Sequence, residues 1–190
     1  HVCEQYITYP VDSPIQDRQA EAVLSTLLEE TPKVLKDAKN YNARANIMWS
    51  ATMGLNTLMG AGVVEDWATH VIGHELTALF GIDHGRTLAA IMPSLYRHQF
   101  SRKKTKLAQF GRRVFGLTGD DETVAKNAIC EMAKFFESIG VPASLKAYNV
   151  PSDTPAKVAL AIAARGDKIG EHGDLGEKEI AEIVTLAMAA

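Results

Sequence analysis

The sequence predicts an all-α fold, and three observations predict it. Apolar residues recur at helical spacing along most of the chain, helix start and stop residues punctuate these runs, and no stretch alternates apolar and polar side chains over the length of a strand. A chain of 190 residues, 46% hydrophobic and 23% charged, can bury a core without disulfides or structural metals.

The opening His1-Val2-Cys3-Glu4-Gln5-Tyr6 is helical in pattern but has no capping residue before it and starts on histidine rather than methionine. The expectation is a chain cut within a helix. Ser13-Pro14 then puts serine at an N-cap and proline at the first helical position. The run 15–28 follows, with Ala20, Val23, Leu24, Leu27 and Leu28 at helical spacing. Thr31-Pro32 is expected to restart a short turn through Val34 and Leu35, and 40–42 is a polar break. Residues 43–59 are apolar on most faces, which predicts a buried central helix ended by Gly60 and Gly62. Trp49 and the methionines near it are read as core.

Glu65 and Asp66 place negative charge before a helix over 67–80, complementing its dipole, and Gly81 stops it. Asp83 is expected to cap a helix over 84–98 that contains Pro93. Further helices are expected over 104–115, 121–138, 154–164 and from about Gly176 to Ala189, with a glycine- and charge-rich loop at 166–175.

Composition excludes several classes. The net charge is −3, and the basic run Arg102, Lys103, Lys104, Lys106, with Arg112 and Arg113 nearby, reads as a solvated helix face. Nucleic acid is therefore not an expected partner. Cys3 and Cys130 are far apart and form no CxxC motif, which suits a reducing, cytoplasmic compartment. No apolar stretch reaches the ~18 residues of a membrane span. No GxGxxG or Walker loop occurs.

The chemistry is carried by histidines. Of six, His70, His74 and His84 follow H-x3-H-x9-H. Residues i and i+4 of a helix lie one above the other, so His70 and His74 face the same way, and Gly81 lets the chain return with His84. This is a geometry for metal capture or a shared active site. Hydrolase motifs fail on Ala78, where HExxH needs histidine, and on Gly73, where HxxEH needs glutamate. His98 and His172 lack a partner pattern and read as surface or loop residues. Cys3 reads as a small buried residue.

The segment 62–89, with His70, His74, His84 and Gly85, closely resembles the histidine signature of the iron-containing alcohol dehydrogenases. His1-Val2-Cys3-Glu4-Gln5-Tyr6 resembles the family's helix bearing an earlier metal ligand. The stretch 44–52 resembles its central helix, and 135–142 its late helix and turn. The nearest branch is that of NADPH-dependent aldehyde reductases and butanol dehydrogenases. The resemblance implies that 1–190 is the multi-helical C-terminal domain of the dehydroquinate synthase-like, iron-containing alcohol dehydrogenase fold. The N-terminal NAD(P)-binding α/β domain would be absent from this chain.

The resemblance further implies one divalent metal, Fe²⁺ or Zn²⁺, held by an aspartate and three histidines. His1, His70 and His84 match the histidine ligands, and the aspartate is expected four residues before His1. His74 matches a catalytic histidine near the nicotinamide of NAD(P)H that is not a ligand. The implied reaction interconverts small alcohols and aldehydes in a homodimer, with apolar side chains such as Trp67 around the cleft. A non-catalytic helical fragment that folds without metal or cofactor is the alternative expectation.

Overall fold

The computed structural model of the chain describes residues 1–189. Among these, nine α-helices and one 3-10 turn follow one another without a sheet. One isolated antiparallel bridge joins Ile169 to Leu175 within the predicted loop. The fold is all-α, as the sequence predicts. It divides into two compact units, one of His1–Glu65 with Arg102–Glu131, the other of Asp66–Ser101 with the chain from Met132 onward.

The first unit contains α1 (Val2–Tyr6), α2 (Pro14–Lys36) and α3 (Tyr41–Gly54). Helix α2 starts at Pro14, but Ser13 gives it no side-chain cap, and the Ser13 hydroxyl is buried without a hydrogen-bond partner. The expected restart at Thr31-Pro32 does not occur, because α2 runs through Pro32 to Lys36. Pro32 is exposed, so its ring meets water rather than a neighbouring helix. Lys33 and Lys36 favour the C-terminal dipole, and the Asp37 amide closes the last turn on the Lys33 carbonyl. An interior proline costs up to about 3 kcal/mol relative to alanine. Pro32→Ala should therefore raise the urea midpoint of unfolding, and a lowered midpoint would contradict this account.

Helix α3 corrects a second expectation. It begins at Tyr41, where the Asn40 side chain accepts from the Ala43 amide at 3.1 Å, and it ends at Gly54 rather than near Met59. It is not buried. Only Ala43, Ser50 and Gly54 are covered, whereas Tyr41, Met48 and Trp49 are 80%, 70% and 67% exposed. The physical reason lies in the sequence pattern. A helix apolar all round has no preferred inner face, and here the small residues at i, i+7 and i+11 form the covered stripe. Gln5 Nε2 donates to the Gly54 carbonyl at 2.7 Å, tying α1 to the end of α3.

Helix α6 (Phe100–Val114) overturns the reading of the basic run as a solvated face. Lys103 and Lys106 are only 1% and 4% exposed. Lys103 Nζ donates to the Ile7 carbonyl at 2.8 Å. Lys106 Nζ donates to Asp17 Oδ1 at 2.7 Å and stands 4.4 Å above the Tyr6 ring. Glu21 Oε1 accepts from Tyr6 Oη at 2.8 Å, Gln109 Nε2 at 3.1 Å and Arg113 at 2.9 Å. Lys103, Lys106 and Phe110 sit at i, i+3 and i+7, the inward stripe, and only Arg102, Arg112 and Arg113 of the basic residues keep to the exposed side.

The second unit contains α4 (Ala68–Phe80), α5 (His84–His98), a 3-10 turn (Leu145–Tyr148), α8 (Thr154–Ala164) and α9 (Glu177–Ala189). Helices α6 and α7 (Asp121–Ser138) pass from one unit to the other. The core is built from Ile72, Leu76, Ile91, Leu95, Val158, Ile162, Ile183 and Val184. Asp66, one residue ahead of the N-cap Trp67, accepts at Oδ1 from the Ala68 amide at 3.0 Å, so the predicted acidic start of α4 bonds its first amide. Gly81 ends α4 in the left-handed conformation, φ +66°. Asp83 occupies the N-cap position of α5, but its carboxylate bonds no helix amide. His98 is more than a surface residue. Its Nδ1 accepts from Gln99 Nε2 at 2.8 Å, which leaves Nε2 to donate to Glu182 of α9 at 2.9 Å. That bond holds the Glu182 carboxyl below its ordinary range. His172 stands in the loop, as expected.

Candidate active site

Helix α4 presents His70, Gly73, His74 and Thr77 at i, i+3, i+4 and i+7, one continuous stripe. The left-handed Gly81 turns the chain, and His84 returns as the first residue of α5. The three imidazoles meet. Ring centroids lie 5.9 Å apart for His70 and His74, and 5.2 Å for His70 and His84. His74 and His84 are stacked, 4.3 Å apart with an interplanar angle of 21°. Trp67 sets its ring edge-on to His70 at 5.1 Å. His70 is 7% exposed, His84 half-buried and His74 exposed.

His84 Nδ1 is buried and has no hydrogen-bond partner. An unsatisfied buried nitrogen costs about 1–3 kcal/mol, and a ligand that takes its lone pair removes that cost. Burial foremost, and then the neighbouring His74 and His70, lower the His84 pKa. The unfolded chain therefore binds its proton more readily than the native state. The contribution of His84 is complete above about pH 6.5, the ordinary histidine value, and is lost as pH falls from there toward the depressed native value. Thermal unfolding of the metal-free protein should show a midpoint that declines below about pH 6.5. The His84→Gln variant should flatten that decline, and an equal decline in both proteins would count against it.

The ring geometry bears on metal binding. With metal–nitrogen bonds of about 2.0–2.1 Å and tetrahedral angles, two imidazole ligands put their centroids about 5 Å apart. The His70–His84 pair, at 5.2 Å, matches this spacing. Stacked rings such as His74 and His84 cannot both aim in-plane lone pairs at one ion. Among the described residues, no group of three or more His, Cys, Asp or Glu side chains is disposed to hold a metal. His1 belongs to the first unit, where it is exposed ahead of α1 and its carbonyl accepts from Gln5 Nε2 at 3.0 Å. Cys3 is buried, and burial pushes its thiol up to about 11.

Gly73, Thr77 and Thr87 belong to this cluster and were not singled out by the histidine spacing. The i, i+3, i+4, i+7 periodicity from His70 would have found the first two. Thr87 needs the α4–α5 packing.

An all-α domain presenting three imidazoles from a helix, a left-handed glycine and the next helix start defines a class. The chain belongs to the Fe-containing alcohol dehydrogenase family: the profile of that family's C-terminal part matches residues 1–188. It is similar to the NADPH-dependent aldehyde reductase YqhD of Escherichia coli, 47% identical over 180 residues, covering 93% of this chain and 45% of that protein. It is 31% identical to the probable NADH-dependent butanol dehydrogenase 1 of Bacillus subtilis, over 99% of this chain and 49% of that one. The substrate- and cofactor-free structure of the E. coli aldehyde reductase superposes with a TM-score of 0.95 at 43% identity, over 98% of this chain and 50% of that one. The chain spans about half the length of the relatives it matches.

Proposed function

We propose that this chain forms the metal-binding half of an NAD(P)(H)-dependent oxidoreductase that interconverts alcohols and aldehydes. The convergence of His70, His74 and His84 on a family-matched helical domain carries this reading. His70 and His84 would hold a divalent metal, Fe²⁺ or Zn²⁺, with His1 as a further ligand. Three imidazoles with a carboxylate suit either ion. When bound, such an ion supplies Lewis-acid polarisation of a carbonyl oxygen, and a nicotinamide cofactor supplies or accepts hydride. His74, exposed and stacked on His84, would move the proton between the alcohol oxygen and solvent, an exchange its two ring nitrogens allow. Trp67 orients the His70 ring and gives the site an apolar wall, which favours small aliphatic aldehydes. The similar E. coli aldehyde reductase is NADPH-dependent and the similar B. subtilis protein is named as NADH-dependent, so the cofactor is taken as NAD(P)(H). The working unit would be a cytoplasmic homodimer, a setting in which the free thiols of Cys3 and Cys130 persist.

The test is NADPH oxidation by butanal in the full-length gene product, with elemental analysis of the same preparation. Turnover with bound metal is expected; a metal-free protein that reduces butanal at the same rate would sink the reading. The lack of any group of three described side chains disposed to hold a metal favours a second reading for the 190 residues by themselves. On that reading they fold as a helical fragment without metal or cofactor, and the isolated chain shows neither bound metal nor turnover. No helix in the described residues is long and apolar enough to cross a membrane.

A further inference from the structure

We propose that Gly73, Thr77 and Thr87 are positioning residues that set where the His84 ring stands against His70 and His74. The proposal deepens the reading of His84 as a metal ligand and rests on it for its functional meaning. The starting point is a weakness in α5. His84 is its first residue, and the N-cap Asp83 bonds none of that turn's amides with its side chain, its carboxylate facing Arg86 Nε at 3.6 Å instead. A helix start without a cap frays easily, and a ring carried there would wander.

Thr87 supplies the missing restraint. Its side chain is wholly buried, and its hydroxyl donates to the His84 carbonyl at 2.8 Å. A threonine hydroxyl has a single proton to give. With that proton committed to His84, the contact between the Thr77 and Thr87 hydroxyls, 3.4 Å long, runs with Thr77 as donor. The chain of bonds therefore has one direction, from α4 through Thr87 to the backbone that carries the imidazole.

Gly73 makes room for it. A Cβ at position 73 would lie 2.9 Å from Leu88 Cδ2 and 3.0 Å from Thr87 Oγ1. Here the glycine serves close approach rather than an unusual backbone angle, since it sits within regular α4. An added methyl presses on the very oxygen that holds His84. Gly73 and Thr77 lie on the stripe that bears His70 and His74, so all four residues meet the same edge of α5, where His84, Thr87 and Leu88 stand at i, i+3 and i+4.

The test uses Thr87→Val, Thr87→Ser and Gly73→Ala in the full-length protein with ¹³C-labelled histidine. Two signals are read: the ring resonances of His84 with their cross-relaxation to His74 in the metal-free protein, and cobalt(II) binding by titration. Thr87→Val should shift the His84 ring signals, weaken the His74–His84 cross-peak and lower cobalt affinity about tenfold, the lower end of what loss of a ligand-orienting partner costs. Thr87→Ser, which keeps the hydroxyl, should restore both. Gly73→Ala should move the same ring signals with α4 still helical. Wild-type ring signals in both Thr87→Val and Gly73→Ala would overturn the proposal. If Thr87→Val does not fold, Gly73→Ala against Thr87→Ser decides. A wild-type protein that binds no cobalt would sink the metal reading alone, because the ring signals still judge the positioning claim.

Discussion

Asp17→Ala should destabilise the protein by about 3–5 kcal/mol, the range for breaking a buried ion pair from one side. Lys106 retains 5% of its side-chain exposure and Asp17 14%. The other group that meets the Lys106 ammonium is the Tyr6 ring, at 4.4 Å. Removing the carboxylate strands a charge that water cannot reach. It also removes the shortest of the three acceptors of Gln109 Nε2, at 2.8 Å. Tyr6 cannot replace the lost negative charge, because burial, followed by its bond to Glu21, raises the phenol pKa and keeps it neutral; its oxygen already accepts from Gln109 Nε2 at 3.1 Å. The double variant Asp17→Ala with Lys106→Met should recover most of the loss, since an apolar pair of similar volume tolerates burial. Urea midpoints of the three proteins read the result. A single variant within about 1 kcal/mol of the parent would show that the pair is solvated.

His70→Ala and His74→Ala should separate two roles in the full-length protein. Loss of His70 removes the buried imidazole that pairs with His84 at ligand spacing, so metal content and kcat/KM should fall together, by on the order of a hundredfold or more. Loss of His74 removes an exposed, stacked ring. Metal content should persist while kcat drops about a hundredfold, the lower range for a general acid–base group. Equal metal loss in both variants would make His74 a ligand and reverse its assignment.

The fold was largely readable where local signals and tertiary demands agree. The bounds of α7 and α8 match the sequence reading to the residue, because each has a polar or capping start and a clear stop, and α5 starts at His84 as expected. Reading failed where one residue carries two opposed signals. Pro32 breaks helices by rule, yet an exposed proline in a strongly helical run is carried along. Lysine is solvated by rule, yet Lys103 and Lys106 fall on an inward stripe and find acceptors in Ile7 and Asp17, residues remote in sequence. Helix α3 failed differently, because hydrophobicity without a direction cannot say which side is covered. The histidine cluster was readable from spacing alone. The hydroxyl chain behind it was not, since Thr77 and Thr87 acquire meaning only when α4 and α5 pack.

The placement of the two tryptophans gives the protein a pair of optical reporters. Trp49 lies in water on α3 of the first unit, so its fluorescence should be red-shifted and open to iodide. Trp67 sits against the His70 imidazole in the second unit, so its emission should be quenched when that ring takes a transition-metal ion. One cuvette therefore reads the solvent around one unit and the chemistry of the other.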